Sequence, residues 1–189
     1  MAGIKLVVGL GNPGPEYVGT RHNVGFAVLD RLASIYGAAF KKTRLKALVA
    51  VIRVDDLTVT LAKPQTFMNL SGRAVRSLLQ AHRLSPDVML MVYDDLDLRL
   101  GQLRLLPRGS SGGHKGAESV IAAVGTTEFP RLRIGIGRPD GDAADYVLSP
   151  FLPAEAETAS AVIDRAVAAV ECVIREDLAR AMNKFNRRW

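Results

Sequence analysis

Four side chains in this sequence have the types and positions that hydrolytic chemistry requires. Asn12 follows the apolar run "KLVVGLG", and His22 comes ten residues later at the start of a helical pattern. Asp94 follows the continuous apolar run "VMLMVY", with Asp95 and Asp97 just beyond it. Asn69 stands in "TFMNLSG", immediately before another helical pattern. In open α/β sheets ligands sit outside the carboxyl ends of strands, so these loops can share one rim. A His–Asp pair with a free imidazole nitrogen makes water nucleophilic, because the carboxylate fixes the tautomer and stabilises the imidazolium as it forms. Side-chain amides donate hydrogen bonds to a developing oxyanion without ionising. Such a set supports attack of water on an ester or a similarly labile acyl bond.

Other chemistries find less support. The one G-x-S-x-G spelling, Gly109 to Gly113, lies in a long loop rather than on a tight strand-to-helix turn and is no nucleophile elbow. Cys172 has no histidine near it in the sequence, so covalent catalysis lacks a nucleophile. His22, His82 and His114 do not follow H-E-x-x-H or a similar ligand spacing, so no metal is expected. His82, in the last turn of a helix, reads as structural. Gly9, Gly11 and Gly14 spell G-x-G-x-x-G behind a strand, the fingerprint of a dinucleotide loop. That loop needs its third glycine at a helix start. Pro13 and Pro15 keep Asn12 and Gly14 out of the helical region, and Asp30, at the distance of the ribose-binding acid, lies mid-helix. A nicotinamide-dependent oxidoreductase rests on these glycines alone, and no cofactor is expected. Taken singly, the four site residues also have structural readings: His22 at a helix end, Asn12 in a turn, Asn69 as a cap. "RGSSGGHKG" reads either as a flexible loop or as a cradle of backbone amides for phosphate.

The elements that must position these loops alternate. Residues 4–10 predict a buried strand, and 23–36 a helix with Val24, Val28, Leu32 and Ile35 on one face and Gly37 as its stop. "ALVAVIRVDDLTVTLAK" predicts a hairpin around Asp55-Asp56. Val75, Leu78 and Leu79 mark a helix closed before Pro86, and 88–93 a central strand covered on both faces. A long loop leads to a helix over 116–124, a strand at 131–137 and an amphipathic helix at 154–171; a short basic helix or tail ends the chain. The order argues one α/β domain over 1–189, a mixed twisted sheet between helices.

At 189 residues, 48% hydrophobic and 23% charged, the chain reads as an ordinary soluble globular domain. No apolar run approaches the roughly 18 residues of a membrane span, and glycines interrupt the opening run that a secretion signal would need. A single cysteine suits a reducing cytosol. The net charge of +6 is unevenly placed: residues 1–54 hold eight Lys/Arg against Glu16 and Asp30, and the remainder is neutral. That imbalance favours a polyanionic partner, nucleic acid above all.

The stretches "VVGLGNPGPEYVGTRHNVGF", "KPQTFMNLSGRAV", "VYDDLDLRLGQLRL", "GGHKG" and "FPRLRIGIGRP" resemble, in order and spacing, the bacterial-type peptidyl-tRNA hydrolase family over almost the whole chain. The resemblance implies a single three-layer α/β/α domain with a twisted mixed sheet, monomeric and cytoplasmic, without metal or cofactor. Such an enzyme hydrolyses the ester between a peptide and the 3′ ribose of tRNA, and so recycles tRNAs stranded by aborted translation. By position, His22 matches the catalytic base and Asp94 its carboxylate partner. Asn12 matches the residue beside the tRNA terminus and reacting carbonyl, and Asn69 the one that orients substrate and water. Tyr17 and Met68 match residues lining the cleft. Arg104 falls where the family has a basic residue for the tRNA phosphate, and Arg133 lies on another basic surface strand. Two positions depart. The family commonly reads "GGHNG", whereas this chain has Lys115, which is expected to serve RNA binding more than the chemical step. A second basic position is Leu106 here, with Arg108 standing in. On this reading the glycines of residues 9–14 clear space for the RNA's acylated end beside Asn12. The family resemblance includes relatives used in RNA splicing, so an RNA-binding protein without turnover is the alternative. The intact set of His22, Asp94, Asn12 and Asn69 favours the enzyme.

Overall fold

Alternation within the central strands decides how this chain layers. The computed structural model describes residues 3–187. In it β1 (Leu6–Gly9) sends Leu6 and Val8 to one face and Val7 to the other. β5 (Met89–Asp95) divides Met89, Met91 and Tyr93 from Leu90 and Val92 in the same way. Both faces are apolar, so both are covered. α1 (Val24–Ile35) and α5 (Ala156–Arg175) cover one with Val28, Leu29, Leu32 and Val162. α2 (Ser71–His82) and α3 (Lys115–Val124) cover the other with Val75, Leu78 and Val120. This is the expected α/β/α layering around a mixed sheet.

The remaining strands are β2 (Lys41–Lys42), β3 (Ala47–Val54), β4 (Leu57–Pro64), β6 (Leu103–Leu106) and β7 (Arg131–Gly135). Their order across the sheet is β2-β3-β4-β1-β5-β7-β6. β4, β1, β5 and β7 run parallel, while the β2–β3, β3–β4 and β6–β7 pairs are antiparallel. β1 and β4 are neighbours, yet the chain leaves them for α1 and α2 on opposite faces. Diverging loops of this kind open a crevice at the carboxyl ends of the strands.

The glycines after β1 serve that packing. A Cβ on Gly9 would lie 2.4 Å from the Gly25 carbonyl oxygen, and one on Gly11 would lie 2.8 Å from the Phe26 ring. α1 reaches the strand only because both positions are bare. The expectation that these glycines make room for RNA is corrected here: α1 fills the space they clear. Gly14 acts differently. Its φ of +124° turns the chain into a 3₁₀ turn at Pro15–Tyr17, and α1 begins only at Val24. The third glycine opens a single 3₁₀ turn and no α-helix.

Three elements exceed the sequence reading. β6 lies inside the predicted long loop, β2 adds a two-residue edge strand, and a short helix α4 (Ala143–Val147) follows β7. The basic C-terminal run forms helix α6 (Leu178–Phe185), capped by Asp177 Oδ1, which accepts from the Arg180 N–H (2.8 Å). Leu178, Ala181 and Phe185 are its buried face. Asn186 then grips β6 from outside: its Oδ1 accepts from the Leu105 N–H (2.7 Å) and its Nδ2 donates to the Leu105 carbonyl (2.9 Å). No helix among the described residues is long and apolar enough to cross a membrane.

Candidate active site

The crevice is a cavity of about 490 Å³ lined in part by Asn12, His22, Met68, Asn69, Asp94 and Lys115. They arrive from five places in the chain, Met68 and Asn69 sharing the turn just before α2. Asn12 ends the β1 loop, where the Asn23 side chain clamps it: Asn23 Oδ1 accepts from the Asn12 N–H (2.8 Å), and Asn23 Nδ2 donates to the Asn12 carbonyl (2.9 Å). The Asn12 side chain in turn accepts from the Met68 N–H (2.8 Å). A backbone N–H can only donate, so the atom facing Met68 is Oδ1 and the Nδ2 donors remain for a ligand. Asn69 sits exposed just before α2, on the cavity wall.

His22 lies in a 3₁₀ turn (Arg21–Asn23) that runs into α1. Its Nδ1 stands 2.9 Å from both oxygens of Asp94, the penultimate residue of β5. Asp94 is 2% exposed, and its Oδ1 also accepts from His114 Nε2 (2.9 Å). Burial pushes the Asp94 carboxyl up, but the two histidines facing it outweigh that and hold it below the usual carboxylate range. Asp94 is therefore an ionised acceptor at neutral pH. His22 must present Nδ1–H to it, which leaves Nε2 bare in the neutral ring.

His114 is arranged otherwise. Its Nδ1 accepts from the Ala117 N–H (3.1 Å) and caps α3. Nδ1 therefore carries no hydrogen, and Nε2 carries the one given to Asp94. Both nitrogens are committed. The two rings lie 4.9 Å apart at 52°, and Tyr93 meets His114 edge-on at the same distance. His22, Asp94 and His114 bring ligand atoms within 4.8 Å of one another. A cation among them would have to displace two protons and break both hydrogen bonds to Asp94.

One wall of the cavity is the α4 segment, with Val147 and Leu148 facing in. Arg21, beside His22, ties it down. Its buried guanidinium pairs with Glu155 (2.7 Å) and lies 4.2 and 4.8 Å from the ring centres of Tyr146 and Phe151. The Arg21 N–H also donates to the Ser149 carbonyl (3.0 Å).

A family model described as peptidyl-tRNA hydrolase matches residues 6–189. The chain belongs to this family. It is 52% identical to the peptidyl-tRNA hydrolase of Aquifex aeolicus and 49% identical to that of Symbiobacterium thermophilum. These alignments cover 97% of both chains in the first case, and 96% of this chain and 98% of the relative in the second. The crystal structure of an Arg119Gln mutant of the Acinetobacter baumannii peptidyl-tRNA hydrolase superposes with a TM-score of 0.93 at 35% identity, covering 98% of this chain and 96% of that one.

Within this peptidyl-tRNA hydrolase fold the sequence-predicted residues divide. His22, Asp94, Asn12, Asn69, Met68, Lys115 and Arg133 share the cavity. Arg133 pairs with Asp95 and stands opposite the exposed Arg104 across β6–β7. Arg108 is exposed and pairs with Glu128 (3.2 Å) outside the cavity. Tyr17 is half-buried in its 3₁₀ turn and is not among the cavity-lining residues. The residue missed by sequence reading is His114. Its one sequence signal was its position just ahead of a helix, where a side-chain acceptor caps. His82 is exposed at the end of α2.

Proposed function

We propose that this peptidyl-tRNA hydrolase splits its ester with water activated by His22. Water in the cavity gives its proton to His22 Nε2 as its oxygen attacks the carbonyl carbon. Asp94 holds the ring through Nδ1 and stabilises the imidazolium. The oxyanion accepts hydrogen bonds from Asn12 Nδ2, and Asn69 orients the water and the acyl chain. Collapse breaks the bond to the 3′ ribose oxygen, which takes the proton back from Nε2. Free tRNA and a peptide carboxylate leave. The observation that carries this reading is the asymmetry between the two histidines: His114 has both nitrogens bonded, while His22 Nε2 has no partner among the described residues.

The RNA is held at its acceptor stem and 3′ end by Arg104, Arg108, Lys115 and Arg133 on the β6–β7 side. Lys115 supports this: a cation in the first turn of a helix works against the helix dipole by roughly 0.3–1 kcal/mol, a cost that a phosphate ligand reverses. The chain acts as one domain and as a monomer, in the cytoplasm. His22→Ala should lower kcat on N-acetylaminoacyl-tRNA by about 10²–10⁴ while tRNA still binds. Near wild-type turnover in that variant would remove His22 from the mechanism.

A further inference from the structure

The cavity does not end at Asn12. A second groove of about 400 Å³ shares Asn12 with it and runs between the loop after β1 and the ends of β3 and β4. Its lining is largely apolar, with Pro15, Phe26 and Leu48, and its inner cation, Lys63, is neutralised by Asp30. The outer lip is different. Lys42 stands opposite Leu48 in the β2–β3 pair, and Arg44 and Lys46 lie in the turn that follows. All three are exposed, and none has a side-chain partner among the described residues. No acidic residue occurs between Asp30 and Asp55 to offset them.

This turn is built rather than loose. The Thr43 N–H and hydroxyl both donate to the Ala47 carbonyl (3.0 and 2.9 Å), and the hydroxyl accepts from the Leu45 N–H (3.2 Å). The Gln65 N–H donates to the Lys46 carbonyl (2.7 Å), two residues before Phe67 on the cavity wall. The antiparallel register therefore brings the turn to the same end of the sheet as the catalytic groups. Lys46 holds φ at +56°, a left-handed position that a lysine occupies only at a cost. Lysines on an edge strand have a protective use of their own. That accounts for β2, but not for Arg44 and Lys46, which lie beyond it.

We propose that this turn and groove hold the phosphodiester backbone of the substrate RNA, across β1 from the cations of β6 and β7. The proposal rests on the peptidyl-tRNA reading of the cavity. A peptide brings no fixed charge for three unpaired cations to select, whereas each nucleotide brings one phosphate. The cavity would then lie between two cationic lips, with apolar ground beside Asn12 on which bases can rest.

The test is a triple variant, Lys42→Gln, Arg44→Gln and Lys46→Asn, the asparagine chosen because it tolerates the left-handed turn. Binding of deacylated tRNA is measured by fluorescence anisotropy across a salt series. Turnover is measured on N-acetylaminoacyl-tRNA and on the matching ester of adenosine, which has no phosphate. The expected result is a Kd about tenfold weaker at low salt, with the log–log salt slope reduced in magnitude by about 2, near 0.7 per single-strand contact. KM on the tRNA ester should rise at unchanged kcat, and the adenosine ester should be hydrolysed as by wild type. Wild-type affinity and slope in the variant would overturn the proposal, as would an equal loss on both esters, which would assign the lip to the peptide or the fold. The binding arm needs no turnover. A wild-type protein inert toward the tRNA ester would therefore refute the hydrolase mechanism, while this proposal would still be decided by the anisotropy series.

Discussion

Replacing His114 by alanine separates its duties from those of His22. The α3 cap is lost, at about 1 kcal/mol, and Asp94 keeps one donor where it had two. The Asp94 carboxyl is then held down less firmly. A carboxyl depressed in the folded state stabilises above its unfolded value, near about 3.9, and that stability is lost as pH falls through the folded value. The variant should therefore start to unfold at a higher pH than wild type in an acid titration followed by circular dichroism. Its kcat at neutral pH should fall less than that of His22→Ala, because the proposed base, His22, is kept; equal losses would speak against the division of roles. The cavity's acids bear on selectivity. Asp94 meets two histidines, Asp95 pairs with Arg133, and Asp97 with Arg138. A substrate α-ammonium would enter without a carboxylate to receive it and beside Lys115, which is costly. Free aminoacyl-tRNA should show a lower kcat/KM than its N-acetylated form, and equality would count against this account. His22, Asp94, Asn12 and Asn69 were legible in the sequence because each adjoins an element with strong periodicity. The pairing of His114 with Asp94 was not, since it exists only once α3 is docked beside β5.

At the scale of elements, α1 fits closely onto the ends of β1 and β5. A Cβ on Gly25 would lie 2.5 Å from the Val92 carbonyl oxygen and 2.6 Å from that of Leu10. Both are backbone atoms of the strand ends that lead to Asn12 and Asp94, so neither can yield cheaply. Gly25→Ala should cost about 1–3 kcal/mol or more in urea denaturation, as overpacking does. It should also lower kcat, since α1 continues from the turn bearing His22; a variant of unchanged stability would show that the helix has slack. The long helices and central strands were readable because several turns or several alternations repeat the same signal. β6 has only four residues and α4 only five, too few for either periodicity to repeat, so neither pattern rises above a loop. What holds α4 is the guanidinium of Arg21, more than a hundred positions earlier, and no local periodicity reports that. The glycine run misled for a related reason: bare positions invite a ligand in sequence, and here the occupant is the protein's own helix.

On the scale of the whole molecule, an open sheet has two margins, and each offers unpaired N–H and C=O groups to any passing strand. One margin of this sheet is β2, two residues long and both lysine. At the other, Asn186 spends both ends of its amide on Leu105, as a neighbouring strand would. The C-terminal helix thus delivers a one-residue plug to the margin that bears Arg104. Asn186→Ala should leave the cavity and its chemistry untouched while uncovering that margin. Light scattering on a concentrated, gently warmed sample should then show self-association that the parent chain does not, and a variant that stays monodisperse would mean the margin is guarded in another way. A residue remote from the chemistry would in this way set how concentrated the enzyme can become before its molecules begin to pair with one another.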